Sequence, residues 1–272
     1  MRAILITQFL CLLFTGPSGA QTESAQPNDT WGRTIPRTLE HEGQTYAWSV
    51  MIPRSANEGG RALLFLHGAG ECGTDGKRNL KVGLPKHIRD NPDQWPFVVI
   101  VPQKPTRNSE WEDHEEAVLK MLDLCAEEGL IDPDRLAITG LSQGGHGTIM
   151  LASRNPGRFK AAAAVCGYVD RRIDKEGNWV DKRGAQPTDK AVKLAAKRLV
   201  DTPVWLVHGD ADQIISVEES RALEEAMGVF VRQNPGSSSK TYIEHQDVGH
   251  NVWDHAYSDT RLAEWFKEHT AE

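Results

Sequence analysis

Ser142 lies in the run Gly140-Leu141-Ser142-Gln143-Gly144, directly after the apolar stretch Leu136-Ala137-Ile138-Thr139. A G-x-S-x-G between a strand and a helix makes a sharp turn that holds the hydroxyl clear of its neighbours. The helix that follows aims unsatisfied N–H groups and its positive dipole end at the same place. A serine hydroxyl is a weak nucleophile. It needs a base within hydrogen-bond reach, and the base needs a carboxylate to fix its tautomer and stabilise its cation. Both partners occur downstream. Val204-Trp205-Leu206-Val207 reads as a buried strand running into His208-Gly209-Asp210-Ala211-Asp212. Thr241-Tyr242-Ile243-Glu244 reads as a last strand, and the loop after it carries Gly249-His250-Asn251. The expectation is Ser142 as nucleophile, His250 as base and Asp212 as acid, with Asp210 as the rival for the third role.

Such a constellation requires strand ends and loops gathered at one edge of a sheet, and the rest of the pattern supplies them. Ala62-Leu63-Leu64-Phe65-Leu66 and Phe97-Val98-Val99-Ile100-Val101 are short continuous apolar runs, typical of strands buried on both faces. Tyr46–Ile52 alternates as an early strand, and Ala161–Cys166 reads as another. Val118, Met121, Leu122 and Cys125 recur at helical spacing over 115–128, with Gly129 as the stop. Ser142–Ser153 reads as the helix after the sharp turn. Ser216-Val217-Glu218-Glu219 has the form of a capping box opening a helix to about Phe230. Leu262, Trp265 and Phe266 mark the buried face of a final helix. Strands alternating with helices predict an α/β fold, a mostly parallel sheet with helices on both faces.

Four stretches together resemble the α/β-hydrolase superfamily. They are Leu66-His67-Gly68-Ala69-Gly70-Glu71, Gly140-Leu141-Ser142-Gln143-Gly144-Gly145, His208-Gly209-Asp210-Ala211-Asp212 and Gly249-His250-Asn251-Val252-Trp253. More narrowly, the chain is similar to small secreted bacterial esterases and peptidases related to dienelactone hydrolases, feruloyl esterases and phospholipase/carboxylesterases. The resemblance spans about residues 45 to 270. It implies Ser142, Asp212 and His250 as a triad, with the amides of Ala69 and Gln143 as the oxyanion hole. It implies cleavage of a small-molecule or polymer-linked carboxylic ester, with no cofactor and no metal. Peptide hydrolysis on the same fold and a non-catalytic binding protein are the alternatives. One fold hosts many chemistries, so the substrate does not follow from it.

Around that site, Gly70, His146, Trp179 and Trp253 are the expected pocket residues. Trp179 falls in a stretch without a clear period, which makes 167–189 the expected place of a cap insertion. The organisation expected is a signal peptide over 1–20, a polar lead-in over 21–44 and one domain over 45–272. Arg2 gives a short positive start, Ala3–Phe14 is mostly apolar but too short to span a bilayer, and Ser18-Gly19-Ala20 predicts cleavage after Ala20. A secreted or periplasmic location follows, with no stable membrane insertion.

The chain has 272 residues and a formal charge of −7. Arg2 is the sole charge of the first twenty residues, so the remainder carries 30 basic and 38 acidic residues. An acidic balance argues against a nucleic-acid surface. Past the signal stretch remain Cys72, Cys125 and Cys166, enough for one disulfide whose connectivity is not legible.

Overall fold

The computed structural model describes residues 31–56, 59–181, 187–234, 236 and 238–271. The expected signal sequence with its cut after Ala20, the first ten residues of the lead-in and residues 182–186 of the expected cap lie outside the described residues.

Among these residues, eight strands form one sheet: β1 (Gly32–His41), β2 (Gln44–Pro53), β3 (Gly60–Leu66), β4 (Val98–Pro102), β5 (Ile131–Leu141), β6 (Ala162–Val165), β7 (Val204–Gly209) and β8 (Lys240–His245). Their spatial order is β1-β2-β4-β3-β5-β6-β7-β8. The β1–β2 and β2–β4 pairs are antiparallel, and all others are parallel. Because β3 to β8 run in one direction, their carboxyl ends share one edge, where ligands bind in open α/β sheets. Strand β1 corrects the expected lead-in over 21–44: Gly32–His41 pairs residue by residue with β2, so the domain begins before residue 45. Its alternation is weak because one side faces solvent at the sheet edge, which hides an edge strand from a periodicity reading.

Among the described residues, seven α-helices cover the sheet, and the pleat sends alternate strand residues into two separate cores. Ala62, Leu64, Leu66, Ile100 and Ile138 face one side. There they meet α2 (Glu115–Glu127), α3 (Gln143–Arg154), α4 (Asp189–Arg198) and α5 (Glu218–Gln233). Leu63, Phe65, Val99, Val101 and Ala137 face the other side, against α1 (Leu84–Asp90), α6 (Trp253–Ser258) and α7 (Thr260–His269). No described helix is long and apolar enough to cross a membrane.

The capping box expected at Ser216 does not form. The Ser216 hydroxyl accepts only the Glu218 N–H at 3.3 Å, and α5 runs on to Gln233. Glu219 turns away instead, accepting the Val169 N–H at 2.9 Å and pairing with Arg172 at 2.7 Å. A tertiary ion pair has taken the carboxylate that the local motif would have used. Cys72, Cys125 and Cys166 are all free thiols, the latter two buried in the core.

Leu64 is fully buried in the central strand, whereas Leu194 on α4 is 45% exposed. Leu64→Ala is expected to lower the unfolding free energy by about 2–5 kcal/mol, through lost transfer energy and a cavity. Leu194→Ala should change it by less than about 0.5 kcal/mol. Chemical denaturation of both variants checks the assignment of core and surface.

Candidate active site

Ser142 occupies the single residue between β5 and α3, with φ 55° and ψ −119°. That left-handed backbone is costly for a residue with a side chain and persists only where the surroundings impose it. Here they do. The Ser142 N–H donates to Val165 O at 2.9 Å, fixing the turn onto β6. A Cβ at Gly140 would lie 2.3 Å from Gly144 O, and one at Gly144 would lie 1.9 Å from Leu66 O. The glycines of the motif therefore let β3, β5 and α3 approach backbone to backbone.

His250 sits in the loop between β8 and α6, and Asp212 in the loop after β7. His250 Nδ1 donates to Asp212 Oδ2 at 2.6 Å, and Nε2 accepts the Ser142 Oγ–H at 2.9 Å. This network sets the tautomer. Asp212 is buried, which by itself disfavours its charge. Hydrogen bonds from His208, His250 and the Ile215 backbone outweigh that burial and hold its carboxyl well below the usual carboxylate range. Oδ1 accepts the N–H groups of Ile214 and Ile215 at 2.8 and 2.9 Å, and His208 Nε2 lies 3.3 Å from Oδ2. Asp210 is exposed and points elsewhere, its Oδ1 accepting the Asp247 N–H at 2.7 Å. Of the two carboxylates, only Asp212 reaches the imidazole.

Ala69 opens a short 3-10 turn and Gln143 opens α3, so both amides stand at first-turn positions where no intrahelical acceptor exists. Both residues border Ser142 in one crevice of about 510 Å³. Trp179 lines that crevice and is 44% exposed. The other expected pocket residues do not line it. Gly70 is exposed, with open space where a side chain would stand. Trp253 packs edge-on against the His250 ring at 5.5 Å, touching the imidazole and not the crevice wall. His146 is fully buried beneath the site, stacked on Tyr168 at 4.3 Å and bonded to Tyr168 O and Glu112. Burial disfavours its cation, but the bond to Glu112 and its charge more than offset this and shift His146 upward.

Sequence reasoning missed three supports. Glu110 is fully buried, and its carboxylate takes four donors. Oε2 accepts Gln143 Nε2 at 3.1 Å and Tyr168 OH at 2.8 Å, while Oε1 accepts the N–H groups of Arg172 and Ile173 at 3.0 Å each. One side chain thus ties the residue after Ser142 to the segment that carries Trp179. No periodic or motif signal marks such a residue. His208 braces Asp212, and the His208-Gly209-Asp210 run was its only trace. His67 is the third support. Its Nε2 accepts the Lys104 N–H at 2.9 Å, its Nδ1 bonds Gly68 O at 2.6 Å, and its carbonyl accepts Trp111 Nε1–H at 3.0 Å.

Among the described residues, three groups of side chains bring metal-type donor atoms within 4.8 Å: Cys166, Asp212 and His250; Glu110, Glu112 and His146; His41, Glu42 and Glu116. In the first two the donors already bond to protein partners. Asp212 and His250 hold each other, and all four Glu110 bonds are internal. Burial and the Asp212 charge push the Cys166 thiol well above its ordinary range, which keeps it neutral.

Burial, slightly offset by the Gly68 hydrogen bond, lowers His67 to about 3. In the unfolded chain a histidine titrates near ~6.5, so as pH falls the unfolded state binds the proton first. The contribution of His67 to stability is complete above that value and is lost as pH falls toward its folded value. Thermal unfolding between these limits should show a shallower pH slope in His67→Gln than in the parent. Equal slopes would contradict a buried neutral imidazole.

Proteins of known structure share this fold. A crystal structure of a thermostable esterase superposes with a TM-score of 0.68 and 25% identity, covering 86% of this chain and 62% of that one. A ferulic acid esterase gives 0.66 and 16%, covering 88% of this chain and 98% of the other. Dipeptidyl peptidase 4 from Porphyromonas gingivalis gives 0.62 and 17%, covering 88% of this chain but 36% of the peptidase. The chain therefore spans about three fifths of the thermostable esterase and about a third of the peptidase. The fold is that of the α/β-hydrolases, shared with these esterases and this peptidase. The profile of the prolyl oligopeptidase family matches residues 109–272, more than half of the chain and all of Ser142, Asp212 and His250, so the chain belongs to the prolyl oligopeptidase family.

Proposed function

We propose that this protein is an exported serine hydrolase that cleaves carboxylic esters through an acyl-enzyme. The observation that carries the reading is the continuous hydrogen-bonded line from Asp212 through His250 to Ser142 Oγ, at 2.6 and 2.9 Å. Ser142 Oγ attacks the acyl carbon as His250 Nε2 takes its proton. Asp212 stays ionised, holds the reactive tautomer and stabilises the imidazolium. The Ala69 and Gln143 amides receive the negative charge that develops on the carbonyl oxygen, a donor pair worth about 2.7–4 kcal/mol per donor in comparable sites. The imidazolium then protonates the leaving alcohol. Water enters, His250 takes its proton, and the acid departs by the reverse steps. Export rests on the charge and apolar pattern of residues 1–20 alone.

Peptide hydrolysis is the second reading, favoured by the family assignment and by the peptidase among the structural neighbours. It needs the same residues and a better-protonated leaving group. A panel of para-nitrophenyl esters beside dipeptidyl para-nitroanilides separates the two. Ester turnover with little amide turnover is expected, and amide cleavage at comparable rates would favour the peptidase.

Ser142→Ala should remove ester hydrolysis and fluorophosphonate labelling while the protein stays folded. His250→Ala should cost nearly as much, since such residues act as a unit. Normal turnover in folded Ser142→Ala would overturn the mechanism.

The two carboxylates after β7 give a sharper test. Asp212→Asn keeps the shape but favours the wrong tautomer, and kcat should drop by about 10⁴, as in the serine-protease triad. Asp210→Asn removes only a turn hydrogen bond and should cost less than about tenfold. The reverse ranking would place the acid two residues earlier.

A further inference from the structure

The crevice over Ser142 has walls that the proposed reaction does not use. One wall is the loop after β4, which brings Arg107 and Asn108 beside Ser142. The other is the segment 173–179, folded back on itself by an isolated antiparallel bridge between Ile173 and Trp179. Gly177 has φ 81°, and a Cβ there would stand 3.3 Å from Asn108 O, so the two walls close on each other at that point.

Trp179 is a built platform and not a loose side chain. It lies edge-on to Tyr168 at 5.9 Å and over the guanidinium of Arg172 at 5.9 Å. Arg172 is itself fully buried and paired with Glu219. The indole is thus braced by Tyr168 and Arg172, and Trp179, 44% exposed, lines the crevice together with Ile214, 50% exposed. Exposed apolar groups gathered in one concavity mark a binding surface.

Arg107 differs from the cations around it. Arg171 is engaged by Asp113 and Glu112, and Arg172 by Glu219. Arg107 is exposed, and among the described residues it makes no ion pair or hydrogen bond. On the facing segment, the Asp174 carboxylate is folded back onto the N–H groups of Glu176 and Asn178. In a chain of net charge −7, an unpaired guanidinium faces the crevice that holds Ser142. A guanidinium presents a planar fork of donors matched to a carboxylate.

We infer that the substrate carries a carboxylate besides the ester to be cleaved, held by Arg107 while its apolar or ring-shaped body rests on Trp179. This deepens the serine-hydrolase reading and rests on it. Asn108 and Asn178 supply neutral amides at the same wall for orientation.

Two matched pairs of esters test it, one for each half of the substrate. Para-nitrophenyl hydrogen glutarate against its methyl-capped form places the charge on the acyl side. Para-acetoxybenzoate against its methyl ester places it on the alcohol side. In one pair, the ratio of kcat/KM for the anionic ester over the neutral one should fall about tenfold in Arg107→Gln, the weight of one charge-assisted hydrogen bond. Arg107→Lys should keep part of the preference, and salt should weaken it in the parent. Trp179→Ala should raise KM for both members of the favoured pair. If both ratios are the same in the parent and in Arg107→Gln, the inference is overturned while the hydrolase reading stands. If the parent hydrolyses no member of either pair and Ser142 takes no fluorophosphonate, the hydrolase reading fails and the inference falls with it.

Discussion

The close approach of three backbones beneath Ser142 is the constraint on which the site depends. Leu66 O would stand 1.9 Å from any Cβ at residue 144, so the helix after the sharp turn can seat against β3 only without one. That seating forces Ser142 into its left-handed conformation and lifts its hydroxyl above the sheet edge. It also brings the start of α3 next to the turn that begins at Ala69, because both leave the carboxyl ends of neighbouring parallel strands, β5 and β3. The position of the Ser142 hydroxyl and those of both first-turn amides are therefore products of one packing event.

The electrostatics around this turn rest on buried carboxylates and one buried guanidinium, each held by named partners. Asp212 keeps its charge against burial because three groups of donors converge on it. The buried Glu110 carboxylate accepts two backbone N–H groups, a phenol and an amide. Arg172 and Glu219 neutralise each other in full burial. A buried ion pair adds little net stability over a well-packed apolar substitute, but removing one partner is costly. In this protein those pairs fix where the 168–179 segment lies. They connect the residue after Ser142, through Glu110, to the wall that carries Trp179. The shape of the crevice is thereby coupled to the turn at Ser142 by hydrogen bonds and not by the sheet itself.

Much of this was legible along the chain. Buried parallel strands are apolar on both faces, so β3, β4 and β7 stand out as continuous runs. Helix α2 matches its expected limits because Val118, Met121, Leu122 and Cys125 repeat at helical spacing and all four are buried. The expected nucleophile, base and acid each fall at a strand end or in the loop after it, and the structure brings Ser142, His250 and Asp212 into hydrogen-bond contact.

The rest was decided by tertiary structure, for identifiable reasons. An edge strand such as β1 has too little burial to show a clear alternation. Glu219 reads locally as a cap, but a long-range partner, Arg172, claims it. His146 sits on the helix after the turn and could face either the crevice or the core, and Glu112, from a distant 3-10 turn, fixes it in the core. Local patterns carry the order and type of the elements, since each depends on residues a few positions apart. Which side chain receives which buried charge depends on residues tens of positions away, and only the folded chain brings those together.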